Sequence, residues 1–219
     1  MQWRIDQLNN LLRGLEKMDK ELKDAMMQDL GRSHQWTEMA ELGPTKHLIE
    51  HTIDKLPIYM RDVHDDPSLI FSPCTSFVRY EPLGVALIMA SWNFPYFVTF
   101  KPLAMAIAAG NCAIVKPSEL APKSSEIMQT LIEKFLDIKC FKVVQGDKDV
   151  CIELTKQKFD LVIFTGSPEK GKLVAQATSE NLVPLILELG GKCPLIVDKS
   201  ADLDFAANKC CYGKFQNAG

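Results

Sequence analysis

The chain has 219 residues, of which 47% are hydrophobic and 24% charged, enough for one substantial globular core and inconsistent with wholesale disorder. Its 25 basic and 28 acidic residues give a formal net charge of −3 and form no basic stripe, which argues against a nucleic-acid partner. The seven cysteines show no Cys-x-x-Cys spacing, so no metal site is expected and reduced thiols in the cytoplasm are favoured over disulfides. Neither a secretory signal nor a membrane-length apolar run is visible.

The first 73 residues are predicted to form a helical arm followed by a connector. One helix face repeats apolar residues with heptad-like spacing, at Leu8, Leu11, Leu15, Met18, Leu22 and Ala25. Because this pattern stops at Asp29, a helix packed on its own protein is favoured over a coiled-coil dimer. A second helix, with Leu42, Ile49, Ile53 and Leu56 on one face, is expected to end before Pro57. Residues 62–73 are predicted to be an irregular acidic connector.

From Gly84 onward, short apolar runs alternate with helical patterns. Strands are predicted at residues 85–89, 112–115, 141–144, 161–164, 185–187 and 195–197. Helices are predicted between them at residues 97–109, 124–136, 150–156 and 168–178, and after the last strand at 203–212. Continuously apolar strands are buried on both faces, and intervening helices make the crossovers. The pattern therefore predicts an α/β fold: a Rossmann-like, doubly wound, mostly parallel sheet with an N-terminal helical arm.

Polar or glycine-rich clusters follow four of the predicted strands. They are Ser91-Trp92-Asn93-Phe94-Pro95, Lys116-Pro117-Ser118-Glu119, Thr165-Gly166-Ser167 and Glu188-Leu189-Gly190-Gly191-Lys192. In doubly wound sheets, ligands bind beyond the carboxyl ends of the strands. The four clusters are therefore expected to meet at one edge of the sheet and to form a single site.

Each cluster leaves two interpretations open when its residues are considered alone. The Asn93 amide can stabilise an oxyanion or cap the helix that starts near Phe97. Lys116 and Glu119 can hold a ribose or form a solvated ion pair. Glu188 can act as a general base or pair with a nearby lysine.

The segment from Gly166 to Lys172 also matches the start of a Walker A loop, which would indicate a P-loop NTPase. The next residue should then be Ser or Thr, and it is Leu173. Pro168 removes a backbone N–H from such a loop but suits the first position of a helix. A helix N-terminus facing a pyrophosphate is therefore the favoured interpretation.

Taken together and in this order, the four clusters resemble the signature set of the aldehyde dehydrogenase superfamily, most like its class 3, or fatty-aldehyde, branch. The resemblance implies NAD-dependent oxidation of an aldehyde to a carboxylic acid, with Asn93 stabilising the oxyanion and Glu188 as general base. It implies a cofactor site formed by Trp92, Lys116, Glu119, Gly166, Ser167, Gly171 and Leu189. NAD is expected over NADP because Glu119 would repel a 2′-phosphate, although class 3 relatives often accept both.

The resemblance also places a nucleophilic cysteine just beyond the run 216–219, and none of the seven cysteines is expected to replace it. We therefore expect residues 74–219 to be an NAD-binding domain with the start of a link to a catalytic domain, in a fragment that is inactive alone. A non-catalytic nucleotide-binding or dimerisation protein remains an alternative. The parent enzyme is expected to be a cytoplasmic homodimer, with membrane association only through a segment beyond this chain.

Overall fold

The computed structural model describes residues 1–218; Gly219, the last residue of the predicted cofactor domain, lies outside the described residues. Its strands are β1 (Val63–Asp65), β2 (Ser76–Val78), β3 (Val85–Met89), β4 (Cys112–Lys116), β5 (Phe141–Val143), β6 (Leu161–Gly166) and β7 (Leu185–Leu189). Strands β3 to β7 form one sheet in the order β5-β4-β3-β6-β7, and every neighbouring pair is parallel. The chain winds outward from β3 to β5 and then returns beside β3, which confirms the predicted doubly wound sheet.

Helices cover both faces of this sheet. They are α1 (Gln2–Lys17), α2 (Asp19–Leu30), α3 (His34–Thr37), α4 (Gly43–Tyr59), α5 (Phe97–Ala109), α6 (Pro122–Phe135), α7 (Lys148–Lys156), α8 (Pro168–Ser179) and α9 (Leu203–Phe215). A π-helical segment, Glu38–Leu42, joins α3 to α4, and 3-10 turns form at Leu69–Phe71 and Gln216–Ala218. Within residues 1–218, no helix combines the length and apolar character needed to cross a bilayer.

The sheet separates two hydrophobic cores. Successive residues of β3 point to opposite faces, so Ala86 and Ile88 enter the larger core while Leu87 and Met89 enter the smaller one. The larger core includes residues of α1, α2, α4, α5 and α6, and the smaller one is covered by α7 and α8. The N-terminal helices therefore share a core with the sheet, and the domain boundary at residues 73 and 74 stays a prediction.

The predicted apolar face of the first segment is confirmed, but it belongs to two helices and not to one. All six of its residues are buried, and the helix is interrupted at Met18, whose φ of −108° and ψ of 21° are not helical. Both α1 and α2 pack against α6. The change of direction at Met18 lets the two helices follow the curved surface of one core.

The expected end of the second helix before Pro57 was wrong. Helix α4 continues through Pro57 to Tyr59. A proline costs a helix the hydrogen bond to the carbonyl four residues earlier. Here it lies in the last turn, where burial of Leu56 holds the helix in place.

Two predictions for exposed segments were also wrong. The stretch predicted as an irregular connector contains β1, which pairs antiparallel with β2. Residues 195–197 form no strand, and Ile196 is 91% exposed. A strand needs a hydrogen-bonded neighbour, and no described segment pairs with these residues, so their apolar composition alone does not make one.

Candidate functional site

The four polar clusters lie at the carboxyl ends of four adjacent strands, β4, β3, β6 and β7. The registers align Met89 with Lys116 and Phe164, Thr165 with Glu188, and Gly166 with Leu189. Parallel strands end at the same edge, so every residue predicted for the site lies in, or directly after, this set of strands or on the helix that follows β6. The predicted convergence on one edge is confirmed; the roles of the individual residues stay predictions.

Lys116 and Glu119 form an ion pair at the end of β4. The distance from Lys116 Nζ to Glu119 Oε2 is 2.8 Å, and the lysine side chain is 3% exposed whereas the glutamate side chain is 45% exposed. Burial raises the pKa of Glu119, but the hydrogen bond and charge of Lys116 outweigh it, so the pKa is lowered overall. The pair thus presents an ionised carboxylate with one oxygen held by the lysine and the other accessible.

The segment after β6 forms a capped helix N-terminus. Ser167 is the N-cap of α8, its hydroxyl accepts a hydrogen bond from Lys170 N at 3.3 Å, and Pro168 is the first helical residue. A Cβ at Gly166 would lie 2.6 Å from the Phe164 ring, so a larger residue does not fit without movement. The first turn of α8 therefore directs its unpaired N–H groups and positive dipole end toward the site.

Helix α8 begins at Pro168, so most of the stretch between Gly166 and Gly171, which would be the phosphate-binding loop of a Walker A motif, is helical. Gly171 is buried, and a Cβ there would approach Leu189 Cδ2 to 2.8 Å. Its small size therefore allows α8 to pack closely on β7. This geometry argues against the P-loop interpretation and for a dinucleotide-type helix entrance.

Asn93 lies in the exposed loop after β3, beside Trp92, which is 46% exposed. Its Oδ1 accepts a hydrogen bond from Ser91 Oγ at 2.6 Å, and among residues 1–218 its NH₂ group has no acceptor. Its backbone oxygen accepts a hydrogen bond from Asn217 Nδ2 at 3.3 Å. Sequence reasoning singled out neither Ser91 nor Asn217 as a partner of Asn93, because a hydrogen bond between loop side chains leaves no periodic signal.

The alternative role of Asn93 as a helix cap is wrong. Helix α5 is capped from a distant segment, since Glu41 Oε2 accepts hydrogen bonds from Tyr96 N at 2.8 Å and Phe97 N at 3.1 Å. Glu41 is fully buried, and Arg32 lies 3.3 Å from its Oε1. Burial raises the pKa of Glu41 to about 7 against the lowering effect of these partners.

Sequence reasoning also missed Glu41 and Arg32. Charged residues are usually exposed, and nothing in the local pattern around Glu41 distinguishes it from the neighbouring surface glutamate Glu38. The only available signal was its place directly before Leu42 in an apolar face, which is too weak to identify a buried cap.

Glu188 is an exposed residue of β7, next to Thr165 on β6. In the part of the chain that the structure describes, no ion pair joins Glu188 to Lys192, so that alternative has no support. Gly171 of α8 lies against Leu187 and Leu189, so by strand alternation the Glu188 side chain points to the face of the sheet opposite α8, at the carboxyl end of β7. This arrangement can accept a proton from a molecule bound at the edge.

The model of the aldehyde dehydrogenase family matches residues 1–219. The chain is 38% identical to aldehyde dehydrogenase family 3 member B3 of Mus musculus, over 99% of this chain and 45% of that protein. It is 38% identical to "Aldehyde dehydrogenase, dimeric NADP-preferring" of Canis lupus familiaris, over 100% of this chain and 48% of that protein. The solved structure "Substrate bound state of Staphylococcus Aureus AldH" superposes with a TM-score of 0.97 at 38% identity, over 100% of this chain and 48% of that one.

The chain thus spans about half the length of the curated relatives it matches. The relatives that match the whole chain at this level of identity include one named as a family 3 member, which agrees with the predicted class 3 resemblance. The strand-end clusters, the doubly wound sheet and the matches over its whole length lead to one conclusion: the chain belongs to the aldehyde dehydrogenase family.

Proposed function

We propose that this chain carries the dinucleotide site and two catalytic residues of an NAD(P)-dependent enzyme that oxidises an aldehyde to a carboxylic acid. The observation that carries the proposal is the meeting of the four polar clusters at the ends of adjacent parallel strands. Asn93, Glu188 and the Lys116–Glu119 pair are three different kinds of group at one edge. A site for hydride transfer from an aldehyde needs such an oxyanion donor, base and ribose anchor together.

The residues at this edge fit a dinucleotide. Glu119 offers an ionised carboxylate to the two ribose hydroxyls, and Lys116 holds that carboxylate in place. Ser167 and the first turn of α8 offer backbone donors to a pyrophosphate. Trp92 and Leu189 add exposed apolar surface beside them. When bound, NAD(P)⁺ supplies the acceptor for the hydride that the aldehyde loses.

Glu119 should favour NAD, because an ionised carboxylate repels a 2′-phosphate. Lys116 partly neutralises that charge, which supports acceptance of NADP as well. The name of the canine relative, "NADP-preferring", is consistent with such tolerance in the family. We therefore propose NAD as the preferred cofactor and NADP as an accepted one.

The remaining chemistry falls to Asn93 and Glu188. The NH₂ group of Asn93 donates to the aldehyde oxygen as negative charge develops on it, while Ser91 fixes the orientation of the amide. Glu188 accepts a proton from the water that releases the acid product. In a chain extended with the downstream half of a family 3 relative, Asn93→Ala should lower kcat by about 10²–10³-fold, and the exposed-loop control Asn181→Ala should not.

We further propose that the 219-residue polypeptide, expressed alone, binds the dinucleotide but turns over no aldehyde. Addition to an aldehyde needs a thiolate beside Asn93, and no described cysteine is hydrogen-bonded to Asn93 or Glu188. Cys112 starts β4 at the opposite edge, about 13 Å away along the strand. Burial raises the pKa of Cys140 to about 11 and raises that of Cys151, which keeps both as thiols.

The cofactor assignment is tested by calorimetric titration of NAD, NADP and Mg–ATP into the parent chain and Glu119→Ala. NAD affinity should fall roughly 10- to 150-fold in the variant, as expected for a hydrogen bond to a charged group. Equal NAD affinity in the two proteins would place the ribose elsewhere, and tight binding of Mg–ATP alone would favour a P-loop NTPase.

Turnover is tested by NADH formation from short and long aldehydes with the parent chain. We expect none above the rate without protein. Thiol-dependent NADH formation that disappears on changing Cys193, Cys210 or Cys211 would contradict the proposal. We also propose a homodimeric parent enzyme, supported by the name "dimeric" of the canine relative, and a cytoplasmic location, supported by the seven free thiols.

A further inference from the structure

The buried carboxylate of Glu41 lies at the point where the loop that carries Asn93 meets α5. Glu41, on the π-helical segment, reaches α5 from 55 residues earlier in the chain and accepts hydrogen bonds from the N–H groups of the N-cap, Tyr96, and the first helical residue, Phe97. These donors would have no partner within the helix itself. The point at which the Ser91–Pro95 loop passes into α5 is therefore fixed by a side chain from another element.

Arg32 connects the same carboxylate to the loop itself. Its guanidinium lies 3.3 Å from Glu41 Oε1, 4.3 Å from the centre of the Trp36 ring and 5.6 Å from the centre of the Phe94 ring. The two ring centres are 5.6 Å apart, so the cation lies against both rings. Phe94 directly follows Asn93 in the chain. The loop is thus held at its end by Glu41 and in its middle by Arg32.

We propose that Glu41 is a positioning residue for Asn93, acting through the start of α5 and through Arg32. The inference rests on the proposed function, since it gives Glu41 a purpose only if Asn93 stabilises an oxyanion. An oxyanion donor contributes fully only when it is held in place before the reaction, because its reorientation would otherwise add to the barrier. Asn93 is exposed and its own side chain is bonded only to Ser91 among the described residues. Its order must therefore come from the elements below it.

The alternative is that Glu41 simply stabilises the whole fold, as any satisfied buried group does. The two roles differ in where the chain loosens when the carboxylate is removed. A positioning role loosens residues 91–97 more than the rest, whereas a purely structural role loosens all elements of the larger core together.

The test is hydrogen–deuterium exchange of the 219-residue chain, read by mass spectrometry on peptides covering residues 91–97 and, for reference, helix α6. In Glu41→Ala, exchange in residues 91–97 should accelerate about tenfold or more while α6 changes little. Glu41→Gln keeps an acceptor oxygen but no charge for Arg32, so it should fall between Glu41→Ala and the parent. The matched control is Glu38→Ala, which removes a partly exposed glutamate of the same π-helical segment that pairs with Lys23 and Lys46, and should leave residues 91–97 unchanged.

A second variant keeps the test decisive if Glu41→Ala does not fold. Phe94→Leu removes the ring over Arg32 without touching the buried carboxylate, and it too should accelerate exchange in residues 91–97. Unchanged exchange of residues 91–97 in folded Glu41→Gln and Phe94→Leu, or equal acceleration in α6, would overturn the proposal.

NAD titration of the same proteins separates this inference from the proposed function. The Lys116–Glu119 pair ends a different strand, so Glu41→Gln should still bind NAD, weakened at most by a looser contact with Trp92. If neither the parent chain nor its variants bind NAD, the proposed function fails. The exchange data still decide whether Glu41 orders the loop.

Discussion

The centre of the sheet and its β7 edge are built differently. Around β3 and β4, the larger core is closed, with side chains such as Ala86, Phe100 and Val115 fully buried. Around β7 and α9 the chain is open: α9 has no buried residue, and Ile186, Phe205 and Tyr212 are 48%, 61% and 64% exposed. The candidate site includes residues of both regions, since Lys116 belongs to the closed region and Glu188 to the open one. The dinucleotide anchor is therefore built on a rigid base, and the proposed general base is not.

The largest expected effect contrasts two phenylalanines. Phe100→Ala should lower the free energy of unfolding by about 3–5 kcal/mol, because it opens a cavity in a closed core. Phe205→Ala removes a ring that is mostly in water and should change stability by less than about 0.5 kcal/mol. Urea unfolding followed by circular dichroism measures both. Similar losses in the two variants would remove the distinction between the regions.

The second prediction concerns pH and belongs to the closed region alone. The pKa of Glu41 is about 7 in the folded chain against 4.5 for an ordinary glutamate. Between these values the folded chain binds more protons than the unfolded one, so stability falls as pH rises from 4.5 to 7. The loss should reach about 3 kcal/mol relative to Glu41→Gln, in which this slope is absent. The prediction is tested by the unfolding free energies of both proteins at pH 5, 6, 7 and 8. Parallel pH profiles would show that the pKa of Glu41 is not raised by folding.

A third prediction compares two glycines of the site. Gly166→Ala should lower stability by about 1–3 kcal/mol, because its Cβ would meet the Phe164 ring at 2.6 Å. Gly190→Ala meets no atom within 4 Å and should be close to neutral. Thermal unfolding monitored by fluorescence measures the pair. If Gly190→Ala were the more harmful change, the loop after β7 would be more tightly packed than the structure indicates.

The smallest expected effect compares two aspartate caps. Asp29 accepts hydrogen bonds from Lys123 N and Ser124 N at the start of α6, and Asp202 accepts one from Phe205 N at the start of α9. Asp29→Ala should cost about 1 kcal/mol of global stability. Asp202→Ala should fray α9 without changing the global value, because α9 buries nothing. Urea unfolding together with hydrogen exchange in α9 distinguishes the two outcomes.

The parts of the fold that sequence could predict are those where local pattern and burial agree. Strands β3, β4 and β6 and the helices between them were predicted because their apolar runs are largely buried in the sheet, whereas β7 shares the apolar pattern although most of its residues are exposed. The strand at residues 195–197 failed for the opposite reason, since apolar composition there is not matched by a pairing partner. The antiparallel pair β1 and β2 escaped prediction because both strands are three residues long and contain no buried residue.

The candidate site divides in the same way. Lys116, Gly166 and Glu188 were identified because strand ends and glycines mark where a ligand can approach. Glu41 could not be identified, because its function depends on a contact 55 residues away that no local pattern encodes. Long-range polar contacts of this kind are set by the tertiary structure and are visible only there.

The register in which β7 pairs with β6 also determines which side chain of β7 lies beside Thr165. Neighbouring residues of a strand point to opposite faces, so a shift of one position would replace Glu188 beside Thr165 with a leucine, either Leu187 or Leu189. Among the described strands, β7 is paired on one side only. The length of the segment 180–184, which joins α8 to β7, therefore helps to set this register. Through the register it decides whether a bound molecule meets a carboxylate or a hydrocarbon side chain.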